Sequence, residues 1–353
     1  MRPDAARGTG WPPRHDALAT DNRTRRRPAA RPGRAMNRFG IDLGGTKIEG
    51  VVVDSARPDR AVCRLRVPTG GARGYRHVIA QVARLVGMLE RASGARRPPV
   101  IGIGTPGTID PPTGVLKNSN STCLNGRPVR EDLAAALGVR VLLANDANCF
   151  ALAEAMFGAG RGRRVVVGLI LGTGVGGGVV VDGRVLDGVH GIAGEWGHNP
   201  ICGERAACYC GRRGCVETVI SGPALERFYA RRTGRRLRLP EIAARAAAGE
   251  RPAAATLERL RAKFGEAIAA VINIVDPDAV VIGGGVGNLD LLYAAETRQA
   301  VLRHLFNREI RTEFLRPALG DSAGVFGAAM LTASSRPAGA RAGSPPARRT
   351  RSG

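Results

Sequence analysis

Two stretches of the chain, Phe39–Asp54 (FGIDLGGTKIEGVVVD) and Val167–Asp182 (VGLILGTGVGGGVVVD), align without a gap. Gly40/Gly168, Leu43/Leu171, Gly44/Gly172, Gly50/Gly178 and the two VVVD ends coincide. Each stretch reads as an apolar strand, a Gly/Thr turn and a second apolar strand, that is, a β-hairpin with a glycine-rich tip. One copy alone would pass for an ordinary glycine hairpin. Two copies in the same register restrict the chain to two domains built on one plan. Such tips expose backbone N–H groups that surround a phosphate, here at Gly44, Gly45 and Thr46 and again at Gly172, Thr173 and Gly174.

The copies differ where chemistry would require it. Asp42 stands where the second copy has Ile170. Packing a strand needs only an apolar side chain, so this carboxylate is unexplained by packing. Beside a phosphate loop its natural task is to hold Mg²⁺, directly or through water. Lys47 replaces Val175 and either lends positive charge to a phosphate or simply faces solvent.

Around the hairpins, strands and helices alternate. Val62–Val67 extends the first sheet, and Val78, Val82, Leu85, Val86 and Leu89 mark one apolar helix face. Val100–Gly104 and Val139–Ala144 read as strands, and helices are expected near Gly222–Arg232, Pro240–Ala248 and Ala253–Val275. Ala279–Ile282 reads as a buried strand opening onto Gly283, Gly284 and Gly285, and Gly320-Asp321-Ser322 as the cap of a last helix, Ala323–Thr332. The alternation predicts α/β domains whose sheets face each other across a cleft. The expected division is a small domain over 36–144, to which 321–335 returns, and a large domain over 145–320.

Asn145-Asp146-Ala147-Asn148 falls at the carboxyl end of a strand and the start of a helix, where α/β proteins place their ligands. Asp146 is either a helix N-cap or a base that takes the proton of an attacking hydroxyl, with Asn145 orienting that hydroxyl. A cap alone would not require Asn145 and Asn148 beside it.

The segment 198–215 supplies His198, Cys208, Cys210 and Cys215, the number and type of ligands that one tetrahedral Zn²⁺ takes. Gly211 and Gly214 let the loop turn tightly. Glu195 and Glu217 flank the cluster, so a metal-held fold aims carboxylates as the wall of a polar-ligand site would. The other cysteines, Cys63, Cys123, Cys149 and Cys202, form no disulfide framework, and a reducing, cytoplasmic setting is expected.

The net charge of +23 suggests nucleic acid, but its distribution does not. Residues 1–35 carry nine Arg against three Asp, and residues 336–353 carry five Arg and no acid. Both are expected to be disordered, solvated tails with a salt-sensitive affinity for polyanions, the first also readable as a misassigned start ahead of Met36. No specific nucleic-acid partner is expected. No apolar run reaches the length that spans a membrane.

Together these motifs resemble the ROK family of sugar kinases and sugar-responsive repressors, within the actin-like ATPase superfamily (ribonuclease H-like fold). The resemblance runs from about Phe39 to Leu331 and rests on DLGGTK (Asp42–Lys47), GTPG (Gly104–Gly107), NDAN (Asn145–Asn148), LGTGVGGG (Leu171–Gly178), GEWGH (Gly194–His198), CYCGRRGCVE (Cys208–Glu217), DPDAVVIGGG (Asp276–Gly285) and GDSAGVFGAA (Gly320–Ala329). It implies two α/β domains around a cleft with a zinc-binding excursion. It also implies ATP on the two glycine tips, Gly283–Gly285 near the adenosine, Asp42 near Mg²⁺ and Asp146 as general base. Asn145, Glu195, His198 and Glu217 would bind sugar hydroxyls, with one His198 nitrogen on zinc and the other toward the sugar. A homodimer is implied by resemblance only.

Within the family, NSNSTCLNG (Asn118–Gly126) with GEWGHNP and CYCG looks most like the fructokinase (mannofructokinase) branch, with Asn118 and Asn120 toward the sugar. The same stretch also reads as a polar, turn-rich loop. Glucokinase and N-acetylhexosamine kinase are the alternative enzymes. A ROK repressor would carry a helix-turn-helix segment ahead of the body, and residues 1–35 lack the apolar periodicity for one. A non-catalytic sugar-binding protein would not need both phosphate loops.

Overall fold

The computed structural model describes residues 37–334, and the expectations for 1–35 and 336–353 lie outside the described residues. Strands β1 (Arg38–Leu43) and β2 (Lys47–Asp54) form the first hairpin, with Asp42 opposite Glu49 and Leu43 opposite Ile48. β3 (Arg57–Pro68) lies antiparallel to β2. Helix α1 (Tyr75–Ser93) leads to β4 (Val100–Thr105), which runs parallel to β1. A short hairpin of β5 (Thr108–Ile109) and β6 (Leu116–Lys117) and helix α2 (Val129–Leu137) precede β7 (Arg140–Asn145), parallel to β4. The sheet order is β3-β2-β1-β4-β7.

Helix α3 (Asp146–Met156) opens the second half. There β8 (Val165–Leu171) and β9 (Val175–Val181) form the second hairpin, edged by β10 (Arg184–Val185). Helices α4 (Val216–Ile220), α5 (Gly222–Thr233), α6 (Leu239–Ala247) and α7 (Arg251–Val275) follow. β11 (Ala279–Gly283) joins β8 in parallel, then come α8 (Gly284–Gly287), α9 (Ala295–Leu302) and β12 (Glu313–Leu315), parallel to β11. The order β10-β9-β8-β11-β12 repeats the first sheet's plan: an antiparallel hairpin on one side, parallel strands on the other. The internal repeat of sequence is thus a repeat of topology.

Helix α1 buries the five apolar residues expected, Val78, Val82, Leu85, Val86 and Leu89, and ends at Gly94, whose φ of 65° only glycine adopts readily. They join Phe39, Ile41, Ile101 and Ile103 in the first sheet's core. On the second sheet, Leu260, Phe264 and Ile268 of α7 pack with Leu169, Val280 and Ile282.

The last helix, α10 (Ala323–Ser334), returns to the first sheet, where it packs on β1 and β4, while α3 packs on β8 and β9. The two helices also pack on each other. Paired glycines make this layer possible. A Cβ on Gly40 would come within 2.3 Å of Val325 O, and one on its repeat partner Gly168 would come within 2.6 Å of Ala151 Cβ. Each hairpin therefore admits its own helix at the same position. Between the helices, a Cβ on Gly327 would fall 1.8 Å from Cys149 O. Ser322 departs from the expected cap: a 3₁₀ turn, Gly320–Ser322, runs straight into α10, and its hydroxyl instead accepts from Arg64 Nη1 at 2.6 Å and meets Glu49 Oε1 at 3.3 Å.

Candidate active site

Asp146 stands at the switch between the two sheets, as the first residue of α3 after β7. The helix cap is Asn145, whose Oδ1 accepts the N–H of Ala147 at 2.9 Å; Asp146 Oδ1 accepts the same N–H at 2.8 Å. Asn145 Nδ2 donates to Gly107 O at 3.3 Å, which ties the motif to the turn after β4. Asp146 is exposed as a residue, yet the protein around its carboxylate displaces part of its water. This loss of water raises its pKa, opposed by the backbone N–H bond and by Asn145.

Asp42, half-buried near the end of β1, has a pKa pushed up to about 6. Burial is the largest cause, followed by the negative charges of Asp146 and Glu49, with Lys47 opposing. Two carboxylates that disfavour each other's ionisation form a place where a hard cation would be welcome. Glu49, only 2% exposed, is itself neutralised by Arg66 Nε at 2.8 Å and Arg64 Nε at 3.3 Å across β3. Gly324 of α10 lies directly beside Asp42, at 3.4 Å from Oδ2 to where a Cβ would stand.

The two tips are both present and both open. Gly44 O accepts from Thr69 Oγ1 at 2.7 Å and Thr46 O from Thr69 N at 3.0 Å, which pins the first tip to the end of β3. Gly45, Thr46 and Lys47 are exposed. In the second tip Gly172 N donates to Gly174 O at 2.9 Å, and Gly172 O accepts from Gly222 N at the start of α5, also at 2.9 Å. Gly284, at φ 84°, lies so close to Leu171 that a Cβ would fall 2.4 Å from its carbonyl oxygen. Gly283, Gly284 and Gly285 are thereby brought beside the second tip.

The polar loop is also at the site. Asn125 holds it by accepting Ser119 N–H at 2.9 Å and donating to Ser119 O at 2.9 Å. Ser121 Oγ lies 3.4 Å from where a Cβ on Gly45 would stand, and Lys117–Ser119 run against Gly107. Asn118 takes a left-handed φ of 61°. Asn120 is exposed on this loop. The loop therefore spans from the first glycine tip to the turn that meets Asn145.

The cysteine segment folds into a compact cluster. Reactive atoms of His198, Cys208, Cys210 and Cys215 all lie within 4.8 Å of one another. A tetrahedral Zn²⁺ with Zn–S bonds of about 2.3 Å sets its ligand atoms about 3.8 Å apart. Cys210 Sγ and Cys215 Sγ are 3.6 Å apart, and Cys208 Sγ and His198 Nδ1 are 3.6 Å apart, so this donor set fits zinc. Glu195, half-buried, has its pKa raised by burial, by Asp146 and by Glu217, with His198 opposing. Those electrostatic links bring Glu195, Glu217 and His198 to the same site as Asp146.

Two details add to the expectations. Of the two His198 nitrogens, Nδ1 faces Cys208 Sγ at 3.6 Å and Nε2 meets the hydroxyl of Tyr209 at 3.1 Å. Glu217, implied by the resemblance to bind sugar hydroxyls, uses Oε2 to accept the N–H of Val175 at 3.0 Å. Sequence reasoning missed Tyr209, Asn125 and Glu49. Tyr209 was visible only as the residue between two ligating cysteines, and Glu49 only as the partner of Asp42 once the hairpin register is drawn.

The sequence profile of the ROK family matches residues 38–335. The N-acetyl-D-glucosamine kinase of Photobacterium profundum is 36% identical over 303 residues, which cover 83% of this chain and 98% of that protein. The ROK hexokinase of Thermus thermophilus superposes with a TM-score of 0.75 at 36% identity, covering 84% of this chain and 97% of its own. A ROK family glucokinase from Streptomyces griseus, solved with glucose and AMPPNP, superposes with a TM-score of 0.66 at 28% identity, covering 84% and 98%. Among the described residues no helix is long and apolar enough to cross a membrane.

Proposed function

The chain belongs to the ROK family, and on that premise we propose that it is a sugar kinase that transfers the γ-phosphoryl group of ATP to a hydroxyl of a 2-acetamido hexose, N-acetylglucosamine first. The observation that carries the kinase reading is Asp146, held at the start of α3 by the Asn145 cap and the tie of Asn145 to Gly107, with its charge felt by both Asp42 and Glu195. Acetamido sugars are favoured over fructose because the N-acetyl-D-glucosamine kinase of P. profundum matches over almost its whole length. The fructose reading retains one support, the seating of Asn118–Gly126 beside Gly45.

In this reading the lobes over 36–144 with 321–335, and over 145–320, close on the substrates and expel water that would compete as acceptor. The sugar lies between the Asn120 loop and the zinc wall, with Asn145, Glu195, His198 and Glu217 around its hydroxyls. ATP lies along the tips at Gly44–Lys47 and Gly172–Gly174, with its adenosine toward Gly283–Gly285. Asp146 accepts the proton as the acceptor oxygen bonds to the γ-phosphorus and the bond to ADP breaks. Asp42 would hold Mg²⁺, which when bound would neutralise phosphate charge. His198, Cys208, Cys210 and Cys215 would hold zinc, which keeps the sugar wall in shape and takes no part in phosphoryl transfer.

A coupled ADP-release assay over N-acetylglucosamine, N-acetylgalactosamine, N-acetylmannosamine, glucose, mannose and fructose tests the proposal. The highest kcat/KM is expected with an acetamido sugar. A clear preference for fructose would restore the fructokinase reading, and no turnover with any of the six would defeat the kinase.

A further inference from the structure

Glu154 lies on the same helix as Asp146, near its far end, and is 0% exposed. Burying a carboxylate is costly unless donors replace the water it loses. Here the donors are backbone N–H groups. Oε2 accepts from Ala159 at 2.8 Å and from Ala318 at 3.1 Å, and Oε1 accepts from Leu319 at 3.0 Å. The bond to Ala159 closes the end of α3 itself, but Ala318 and Leu319 belong to the connection from β12 to α10. A Cβ on Gly158 would stand 1.9 Å from Oε2, so the carboxylate is seated directly on that glycine.

The same connection returns the chain from the second sheet to the first. Arg316 fastens its start by donating to Asn288 O at 3.2 Å, and Glu154 fastens its end. Ser322 is already held by Arg64 and Glu49 of the first sheet. Between these anchorages stand Gly320 and Asp321. Gly320 takes a left-handed φ of 62°, and a Cβ there would meet nothing within 4 Å. The outward crossing, from Asn145 to Asp146, lies at the opposite end of α3. One helix therefore holds both crossings, with Asp146 and Glu154 about 12 Å apart along its axis at the helical rise of about 1.5 Å per residue.

We infer that Glu154 is a positioning residue for phosphoryl transfer: it clamps the return crossing to α3 and so sets where α10 holds Asp42 relative to Asp146. Gly324 of α10 lies against Asp42, 3.4 Å from Oδ2 to where a Cβ would stand. The carbonyl of Val325 abuts Gly40, on the same strand as Asp42. A shift of α10 is thereby a shift of Asp42. Asp146 does not follow, because it rides on α3. The sugar wall at Glu195, His198 and Glu217 does not pass through this clamp either. Loosening Glu154 misaligns the two carboxylates while the sugar still binds. Movement between the lobes is left to Gly320 and Asp321 at one crossing and to Asn145 at the other. On the sugar-kinase reading above, on which this assignment rests, Glu154 touches neither substrate.

The test uses the full chain with Glu154→Gln and Gly158→Ala, singly and together. Glutamine offers one acceptor oxygen where Glu154 uses both of its own, so the amide nitrogen would face an N–H group. Gly158→Ala leaves the charge in place and pushes the carboxylate off its seat. Calorimetry without ATP measures binding of the sugar with the highest kcat/KM, rapid quench measures single-turnover phosphoryl transfer at saturating substrates, and thermal melts follow folding. Each single variant should bind the sugar about as tightly as wild type yet transfer about 10–100-fold more slowly, the scale of a displacement of about 1 Å at reacting groups. Because both changes act on one seat, the double variant should match the slower single variant within about 2-fold. A folded variant that transfers at the wild-type rate, or one whose sugar affinity falls as far as its rate, overturns the inference and leaves Glu154 a cap of α3. Losses that multiply in the double variant overturn it as well. If Glu154→Gln does not fold, Gly158→Ala decides by the same limits. A wild-type protein that turns over no sugar defeats the sugar-kinase reading instead, an outcome separate from unchanged rates in the variants.

Discussion

Glu217 Oε2 accepts the backbone N–H of Val175 at 3.0 Å, so the last carboxylate of the cysteine segment also fastens the second glycine tip. A Cβ on Gly174 would lie 2.7 Å from the same oxygen, which shows how closely the carboxylate is seated against the tip. One side chain thus spans the sugar wall and the phosphate loop. Glu217→Ala should raise KM for ATP as well as for the sugar. Glu217→Gln keeps an acceptor for Val175 and should restore the ATP value while leaving the sugar value high. Steady-state kinetics with each substrate varied would check this, and a change confined to the sugar in both variants would separate the two roles.

Asp146→Asn should leave sugar affinity largely intact, because Asn145 still caps α3 and holds the turn at Gly107. Turnover should fall about 10²–10⁴-fold, the usual contribution of a positioned base. Calorimetry for binding and single-turnover kinetics for the chemical step give the two readings. Full activity in this variant would remove Asp146 from the role.

Asp42 sets a pH dependence whose sign follows from its raised pKa. Between its ordinary value of 3.8 and about 6, the folded protein holds a proton that the unfolded chain has lost, so stability falls as pH rises through that window. Above it the cost is fully present, at most about 2–3 kcal/mol and less after solvent screening. Asp42→Asn should therefore melt a few degrees higher than wild type near neutral pH, show no gain near about pH 4, and lose turnover. Mg²⁺ should raise the melting temperature of the wild type near neutral pH and not that of the variant. Thermal melts at the two pH values, with and without Mg²⁺, measure all of this.

Elemental analysis should find one Zn²⁺ per chain, lost in Cys210→Ser together with sugar affinity. Structural zinc contributes on the order of 10 kcal/mol in small metal domains. Here the segment is also fastened to α7 by metal-independent contacts, Arg259 Nη2 to Glu204 at 2.7 Å and Cys202 N–H to Glu266 at 2.9 Å. The metal-free protein should consequently keep its far-ultraviolet circular dichroism while losing sugar binding. A metal-free protein with full sugar affinity would sink the zinc reading.

The helix faces, the two hairpins and the cluster of three cysteines and one histidine were legible from residue order alone. Periods of 2 and 3.6 residues, glycines at turns and close ligand spacing are local properties, and they survive whatever the rest of the chain does. Even the shared glycines of the repeat were visible, although their purpose, to admit α10 at Gly40 and α3 at Gly168, appears only when the helices are docked. The site itself is different. Asp42, Asp146, Glu195 and Glu217 come from four separate segments and come within electrostatic reach of their neighbours in the set only in the fold, where α3 and α10 pack on each other and on opposite sheets. Which oxygen of Glu217 is taken by Val175, which nitrogen of His198 by Tyr209, and that Asn145 caps α3, depend on side-chain directions set by that packing. Local pattern names the groups that could act; tertiary contact decides which of their atoms are left free to do so.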